Sequence, residues 1–453
     1  MKVDLKEYYP PEDQQRPAPP SVAARVLRLR QKFPGASTGL LSIFDQAIVS
    51  GTGFATAAII GRMTAPEQLG LYYLTLTIVL IVVGVQDQIV AAPYLVYAKR
   101  HHGEEHAQYA GSSWFHHLLL TVASMVVLLL TIGILSVSGS TAILPGLWAL
   151  VGAGPLLLVR EDIRRFAFAD LHLRSAIAID AVVAVLQLGG LFLLGYYGHL
   201  TLFNIFAVMG GACALAALGW LIVDPPRVRF SRVRIRADWS HNWAFAKWAL
   251  RGHLLGSTTP YVMIWIVNGA IGPVAAGVLG ACTTLVGVTK VIQAGVTNVL
   301  TTQSSHAYVT GGWKELRRVM IRASLFLGLS VGSLCLLFLV TGDALAVLVY
   351  GEFYQGCGPI LVTLSLAALV SSLSIVIGNG LWAIDQPRAS FAADVCSTVI
   401  TLAAAALLVP SMGALGAALA TLAGSAVATL VRLVILVRAY EPTRFDKASL
   451  PTP

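Results

Sequence analysis

Charge is scarce in this chain. Asp, Glu, Lys and Arg make up 12% of the 453 residues against 56% hydrophobic ones, and a mean hydropathy of +0.75 lies well outside the range of a soluble globule. The five cysteines, Cys213, Cys282, Cys335, Cys357 and Cys396, show no paired spacing and no CxxC, so neither a disulfide framework nor a metal cage is expected. There is no GxxxxGK[ST] loop, which speaks against nucleotide hydrolysis within the chain. No cofactor is expected. Residues 1–38 are polar, proline-rich and basic with no apolar h-region, so a cleavable signal peptide is not expected and the first span is itself the insertion signal.

Long apolar runs are what the chain does have. A membrane crossing takes about 20 apolar residues, and twelve runs qualify: 40–60, 71–97, 114–137, 142–160, 175–197, 201–223, 250–270, 274–301, 320–341, 359–383, 389–409 and 413–437. The fold class is all-α, a polytopic membrane protein. All but Arg62 and Lys290 of the 31 Lys and Arg residues fall in seven clusters before, between and after these runs. Basic residues near spans resist translocation, so the clusters and both termini read as cytoplasmic. The net charge of +9 then reports orientation and contact with anionic membrane lipids, and nucleic acid is not an expected partner.

Two echoes divide the chain. Ala65-Pro66-Glu67-Gln68-Leu69-Gly70 after the first span and Gly272-Pro273-Val274-Ala275-Ala276-Gly277 after the seventh share the same Pro-to-Gly spacing. Arg174 precedes Asp180 by the interval at which Arg388 precedes Asp394, at the starts of spans five and eleven. Two echoes at nearly one offset argue for duplication. The organisation is a cytoplasmic tail (1–38), a six-helix lobe (39–223), a basic cytoplasmic linker (224–249), a second six-helix lobe (250–437) and a C-terminal tail (438–453). Six spans is an even number, so both lobes enter the membrane in one orientation and the pseudo-twofold axis runs along the membrane normal. In the tail, Val22, Val26, Leu29 and Phe33 alternate with Arg25, Arg28, Arg30 and Lys32, a pattern suited to a helix lying on an anionic leaflet or to a solvated tether. The linker carries Arg227, Arg229, Arg232, Arg234 and Arg236 and reads as an orientation signal and lipid-facing amphipathic segment ahead of direct substrate capture.

The loops between spans on the side without basic clusters are short. None can hold the carboxylates or metal that a membrane glycosyltransferase or polymerase needs, so no catalytic residue is assigned and the chain is not read as an enzyme. His102-Gly103-Glu104-Glu105-His106 matches H-x-x-E-H, but Gly103 weakens the helix that this zinc pattern requires and no third ligand is at hand. The pair His116-His117 reads as interfacial.

Ionisable residues inside spans cost on the order of 2.5–3.5 kcal/mol at mid-membrane, so each needs a partner, water or a function. Lys290 in span eight, Asp45 in span one and Asp87 in span two fall at similar depth when counted at about 1.5 Å per residue, and one shared cavity is the expectation. Two readings stay open for Lys290. It is either a buried partner of Asp45 or Asp87, or the lining of a hydrated cavity that contacts an anionic headgroup, with the aspartates tuning its charge or binding a coupling cation. Gln46, Gln86, Gln88, Asn268 and Gln293 add neutral polar groups suited to sugar hydroxyls or to interhelical hydrogen bonds. Arg62 and Arg251, at the ends of spans one and seven, read as gate or headgroup contacts or as snorkelling side chains.

The stretch Pro66 to Tyr72, the segment Tyr350-Gly351-Glu352-Phe353-Tyr354, residues Asn379 to Arg388, and Val409-Pro410-Ser411-Met412-Gly413-Ala414-Leu415-Gly416 together resemble the polysaccharide (O-antigen) flippases of the multidrug/oligosaccharidyl-lipid/polysaccharide (MOP) exporter superfamily, over roughly residues 38–440. The resemblance implies two six-helix lobes around a central cavity that opens to either face in turn. It also implies transfer of an undecaprenyl-diphosphate-linked oligosaccharide from the inner to the outer leaflet of a bacterial cytoplasmic membrane, alongside polysaccharide polymerase and glycosyltransferase partners. Lipid II flippases of the superfamily resemble a fourteen-span design with several cavity arginines; twelve spans with Asp45 and Asp87 fit a surface or exopolysaccharide unit better. Cation-coupled multidrug antiport and a non-transporting assembly scaffold are the alternatives.

Overall fold

Proline and glycine set the ends of the helices. The computed structural model describes residues 36–446 except 140, 171, 224, 226, 227 and 257; the basic pattern at Val22 to Phe33 lies outside the described residues. Twelve helices follow in order: α1 (Ala36–Met63), α2 (Pro66–Arg100), α3 (Glu104–Ser138), α4 (Leu144–Ala169), α5 (Leu173–Tyr196), α6 (Leu202–Val223), α7 (Arg232–Gly256), α8 (Thr259–Ala270), α9 (Pro273–Val286), α10 (Val288–Tyr350), α11 (Gly358–Ala383) and α12 (Pro387–Asp446). Proline occupies the first turn of α2, α4, α8, α9 and α11, where its missing N–H has no intrahelical acceptor to lose. Among the described residues, seven helices are each long and apolar enough to cross a membrane, and no strand occurs. The chain is a multi-pass membrane protein.

Helices and membrane crossings are not in one-to-one correspondence. The long α10 breaks at Gly312 (φ 58°) and α12 at Gly413 (φ 56°), positive values that glycine adopts without a Cβ clash, so each supplies two antiparallel crossings. α7 runs into α8, and α9 into the first part of α10, with only short interruptions. Twelve crossings in two six-helix lobes result, close to the twelve apolar runs. Pro410 to Gly413, read from the sequence as the short connection between the last two spans, is helical up to the Gly413 break that separates them. The arginines at 160–165, read as part of a cytoplasmic cluster, lie on the last turns of α4, which continues to Ala169.

The first part of α7 is the basic linker. His116 Nε2 lies 2.9 Å from the Ile235 carbonyl oxygen and the Tyr109 hydroxyl donates to Asn242 Oδ1 at 3.0 Å, so this helix packs on α3. Its other face leaves Val233, Trp243 and Trp248 exposed, the division of faces expected of an interfacial helix.

The two lobes meet along α2 and α9, and they do so with the repeated motif itself. A Cβ on Gly70 would lie 1.8 Å from the Pro273 carbonyl oxygen, and one on Gly277 would lie 2.9 Å from the Gly70 nitrogen and 3.1 Å from the Pro66 oxygen. Each glycine thus admits the backbone of the other repeat, a reciprocal contact of the kind a twofold axis produces. One turn on, the Tyr73 ring fills the space over Gly280 and its hydroxyl pairs with Thr284 Oγ1 at 2.7 Å. Arg62, at the end of α1, donates through Nε to the Val349 carbonyl at 2.9 Å and through a second nitrogen to Leu348. It thereby satisfies carbonyls at the C-terminus of α10, where orphan acceptors and the negative end of the helix dipole favour a cation. These contacts seal the lobes together at the end of the molecule poor in basic residues.

Candidate functional site

Lys290 lies in the first turn of α10, just past the α9–α10 junction at Gly287, and Gln293 follows one turn later. Three residues apart on a helix, both point to one side. Both line a cavity of about 310 Å³ within the C-terminal lobe, bounded by α8 to α12. Its wall is rich in hydroxyls, including Thr259, Thr283, Ser371, Ser397, Thr421 and Ser425. Gln293 Nε2 donates to the Ala368 carbonyl at 3.1 Å and to Ser372 Oγ at 2.9 Å, which anchors it to α11. At the far side of the cavity Arg432 on α12 holds Asp394 at 2.7 Å and Ser374 Oγ at 2.5 Å. Lys290 itself is exposed and has no ion pair or hydrogen bond from its ammonium among the described residues. The cavity therefore contains two cations against one anion, an excess positive charge ringed by hydroxyl dipoles. Such a chamber is fitted to an anion that carries further hydrogen-bonding groups.

The aspartates expected beside Lys290 lie elsewhere. Neither Asp45 nor Asp87 lines its cavity; each is claimed by an arginine of α4. Arg164 donates to Asp45 Oδ2 through Nε at 3.1 Å and through Nη2 at 2.7 Å, and its Nε also lies 2.9 Å from Asp180 Oδ2 on α5. Arg165 reaches Asp87 Oδ2 at 2.6 Å. Arg160 pairs with Asp180 and, at 3.1 Å, with Glu161, which also accepts from Arg164 at 3.1 Å. The result is one cluster joining α1, α2, α4 and α5, buried at Asp45, Arg164 and Asp180 and half-open at Arg165 and Asp87. Beside it His117 contacts Asp162, His117 Nε2 lies 3.3 Å from Thr121 Oγ1, and Gln86 donates to Thr121 at 3.1 Å. The expectation of a single chamber is corrected on this geometry, and the cause is the length of α4, which carries its arginines onto the helix and into the bundle.

The remaining candidates are dispersed. Gln46 is exposed on α1 and bonds Ser50 one turn away at 3.3 Å, Asn268 is half-buried near the end of α8, and the Arg251 guanidinium stands 4.5 Å from the centre of the Trp248 ring. His106 faces Asp170 at 3.5 Å and Glu105 is met at 3.5 Å by His101, outside the pattern, so the pattern's second histidine and its carboxylate each have a partner elsewhere. Arg164, Asp180, Arg432 and Asp394 were missed as site residues, although the echo of Asp180 in Asp394 marked repeat-related positions in both lobes. In each lobe that aspartate is held by arginine, from α4 in one and from the last crossing in the other.

No family profile matches the sequence, and no curated protein matches it. The fold does have counterparts among solved structures. The lipid II flippase MurJ in an inward closed conformation superposes with a TM-score of 0.70 at 13% identity, covering 88% of this chain and 87% of that one. A multidrug resistance MATE family transporter of the MOP superfamily, inward-facing, gives 0.66 at 16% identity, covering 91% of this chain and 96% of that one. A MOP superfamily transporter from Pyrococcus furiosus, described for the reverse polarity of its binding pocket, gives 0.61 at 12% identity over 88% and 94%. The chain has the two-lobed fold of MOP-superfamily transporters.

Proposed function

We propose that the protein is a flippase that carries an undecaprenyl-diphosphate-linked oligosaccharide from the inner to the outer leaflet of the bacterial cytoplasmic membrane, for surface or exopolysaccharide synthesis. The observation that carries this reading is the unpaired Lys290 in a hydroxyl-lined cavity. A diphosphate takes the cation, sugars take the hydroxyls and the Gln293 amide, and the polyprenyl tail remains in the bilayer. Transport needs no covalent step. The reciprocal seam at Gly70 and Gly277 gives the lobes a common pivot, and the Arg62 contact closes one end while the other opens, as alternating access requires. The solved lipid II flippase with this fold supports a lipid-linked cargo. Partners in this reading are the glycosyltransferases that build the unit and the polymerase that consumes it, with both termini in the cytosol.

Multidrug antiport is the second reading, because a MATE transporter shares the fold. That activity calls for an anion free to bind a cation, and Asp45, Asp87, Asp180 and Asp394 each carry a guanidinium partner. We assign Asp45 and Asp87 to holding α1, α2 and α4 together, with ion coupling at these residues a lesser expectation. Reconstituted protein and a fluorescent lipid-linked oligosaccharide, read by quenching in one leaflet, test the assignment. Lys290→Ala lowers flipping and Lys290→Glu stops it, with normal insertion of both. Wild-type flipping by either stable variant overturns the reading, and so does protection from organic cations without lipid transfer.

A further inference from the structure

We propose that the base-rich end of the C-terminal lobe holds one anionic glycerophospholipid in a fixed site, its phosphate on the cations that follow the α10 break and an acyl chain in the groove between α10, α11 and α12. Two cavities meet there. One, of about 1100 Å³, is lined by Lys314, Arg317, Arg318 and Arg322. The other, of about 710 Å³, is lined by aliphatic side chains such as Leu325, Leu373, Ile377 and Leu433. Trp313, Arg317, Ile321 and Tyr440 line both, so the polar chamber passes directly into the apolar one. That sequence of surfaces, cationic and then aliphatic, is the order of groups along a phospholipid.

The charges favour an anionic headgroup. Arg318 is engaged by Glu315, while Lys314, Arg317 and Arg322 have no ion pair among the described residues. Three uncompensated cations attract a phosphate and repel the ammonium of a zwitterionic lipid. The break at Gly312 (φ 58°) starts a new helix at this point, and its first-turn N–H groups lack intrahelical acceptors. Trp313 adds an unused donor at the junction: its Nε1 is buried without a hydrogen-bond partner, and its ring stands edge-on to Tyr440 with centroids 5.3 Å apart. An indole with one end dry and one donor free suits the ester and phosphate level of a bilayer. The site lies apart from the Lys290 cavity, shares no lining residue with it, and stands whether or not the protein is a flippase.

The test is native mass spectrometry of the full chain in detergent, titrated separately with phosphatidylglycerol and phosphatidylcholine. One phosphatidylglycerol is retained in preference to phosphatidylcholine, and Arg317→Glu with Arg322→Glu lowers that retention by roughly tenfold or more, since each surface cation is worth about 1 kcal/mol toward an anionic lipid. Leu433→Trp, which fills the groove without touching charge, lowers it as well. Arg388→Glu, a reversal elsewhere on the same end, leaves it unchanged. Equal retention of both lipids, or equal loss in Arg388→Glu, means annular lipid only and overturns the site. Displacement by millimolar inorganic phosphate reduces it to an anion site, and stronger capture of a polyprenyl phosphate reassigns it to cargo; either result overturns the glycerophospholipid. If the double reversal does not stay monodisperse, unchanged retention in Leu433→Trp decides against the proposal.

Discussion

In the N-terminal lobe Arg160, Arg164 and Arg165 meet Asp45, Asp87, Glu161 and Asp180 in one cluster that is buried at Arg164, Asp45 and Asp180, whereas the C-terminal lobe sets Arg432 against Asp394 and leaves Lys290 without a partner in the same cavity. The repeats started from one pattern, since Asp180 and Asp394 occupy matching places. What differs is the pairing. A cluster in which every carboxylate has a guanidinium partner fixes helices against each other, because separating any member strands a charge in low dielectric. An uncompensated cation does no such work and keeps its field available for a ligand. Interlocked ion pairs mark the lobe that holds its shape; an unpaired cation marks the lobe that has something to bind.

Removing the charge at the centre of the interlocked cluster has the largest expected effect on stability. Arg164→Met leaves Asp45 and Asp180 buried with fewer partners, and breaking a buried pair costs about 3–5 kcal/mol; unfolding of the purified protein in detergent at lower temperature measures it. Next comes the seam between the lobes. Gly70→Val drives a side chain into the Pro273 backbone, which cannot yield as a flexible side chain does, at about 1–3 kcal/mol, and cross-linking between α2 and α9 falls with it. Arg432→Met is milder, about 1 kcal/mol, because the Asp394 side chain is 37% exposed and water screens it. Smallest is Lys290→Met, for which stability is unchanged or slightly raised while flipping falls. A Lys290→Met variant as unstable as Arg164→Met would erase the contrast between the lobes.

The sequence disclosed the crossings, the repeat and the surplus cation, because each depends on local composition or on spacing along the chain. Hydropathy runs gave twelve spans, and Pro66 with Pro273 announced the seam. The partners of Asp45 and Asp87 were not visible in the same way. Asp45 and Arg164 are 119 residues apart, and the α4 arginines look like topology signals when the apolar run is taken to stop at 160. The informative sign was the mixture Arg160-Glu161-Asp162-Arg164-Arg165: a purely orienting cluster has no need of interleaved carboxylates. Lys290 stood out for the opposite reason: of the two cations outside every cluster, Arg62 and Lys290, it is the one inside an apolar run.

The joint between α2 and α9 has a hand as well as an axis. Gly70 and Gly277 exchange places under the repeat, so each half brings the same notch to the joint. Tyr73 and Gly280 occupy corresponding positions but differ in kind, one a bulky ring and the other the hollow that accepts it. Such a bump and dimple give each half an identity: neither can stand in for its sibling, and the contact between the two repeats is directional.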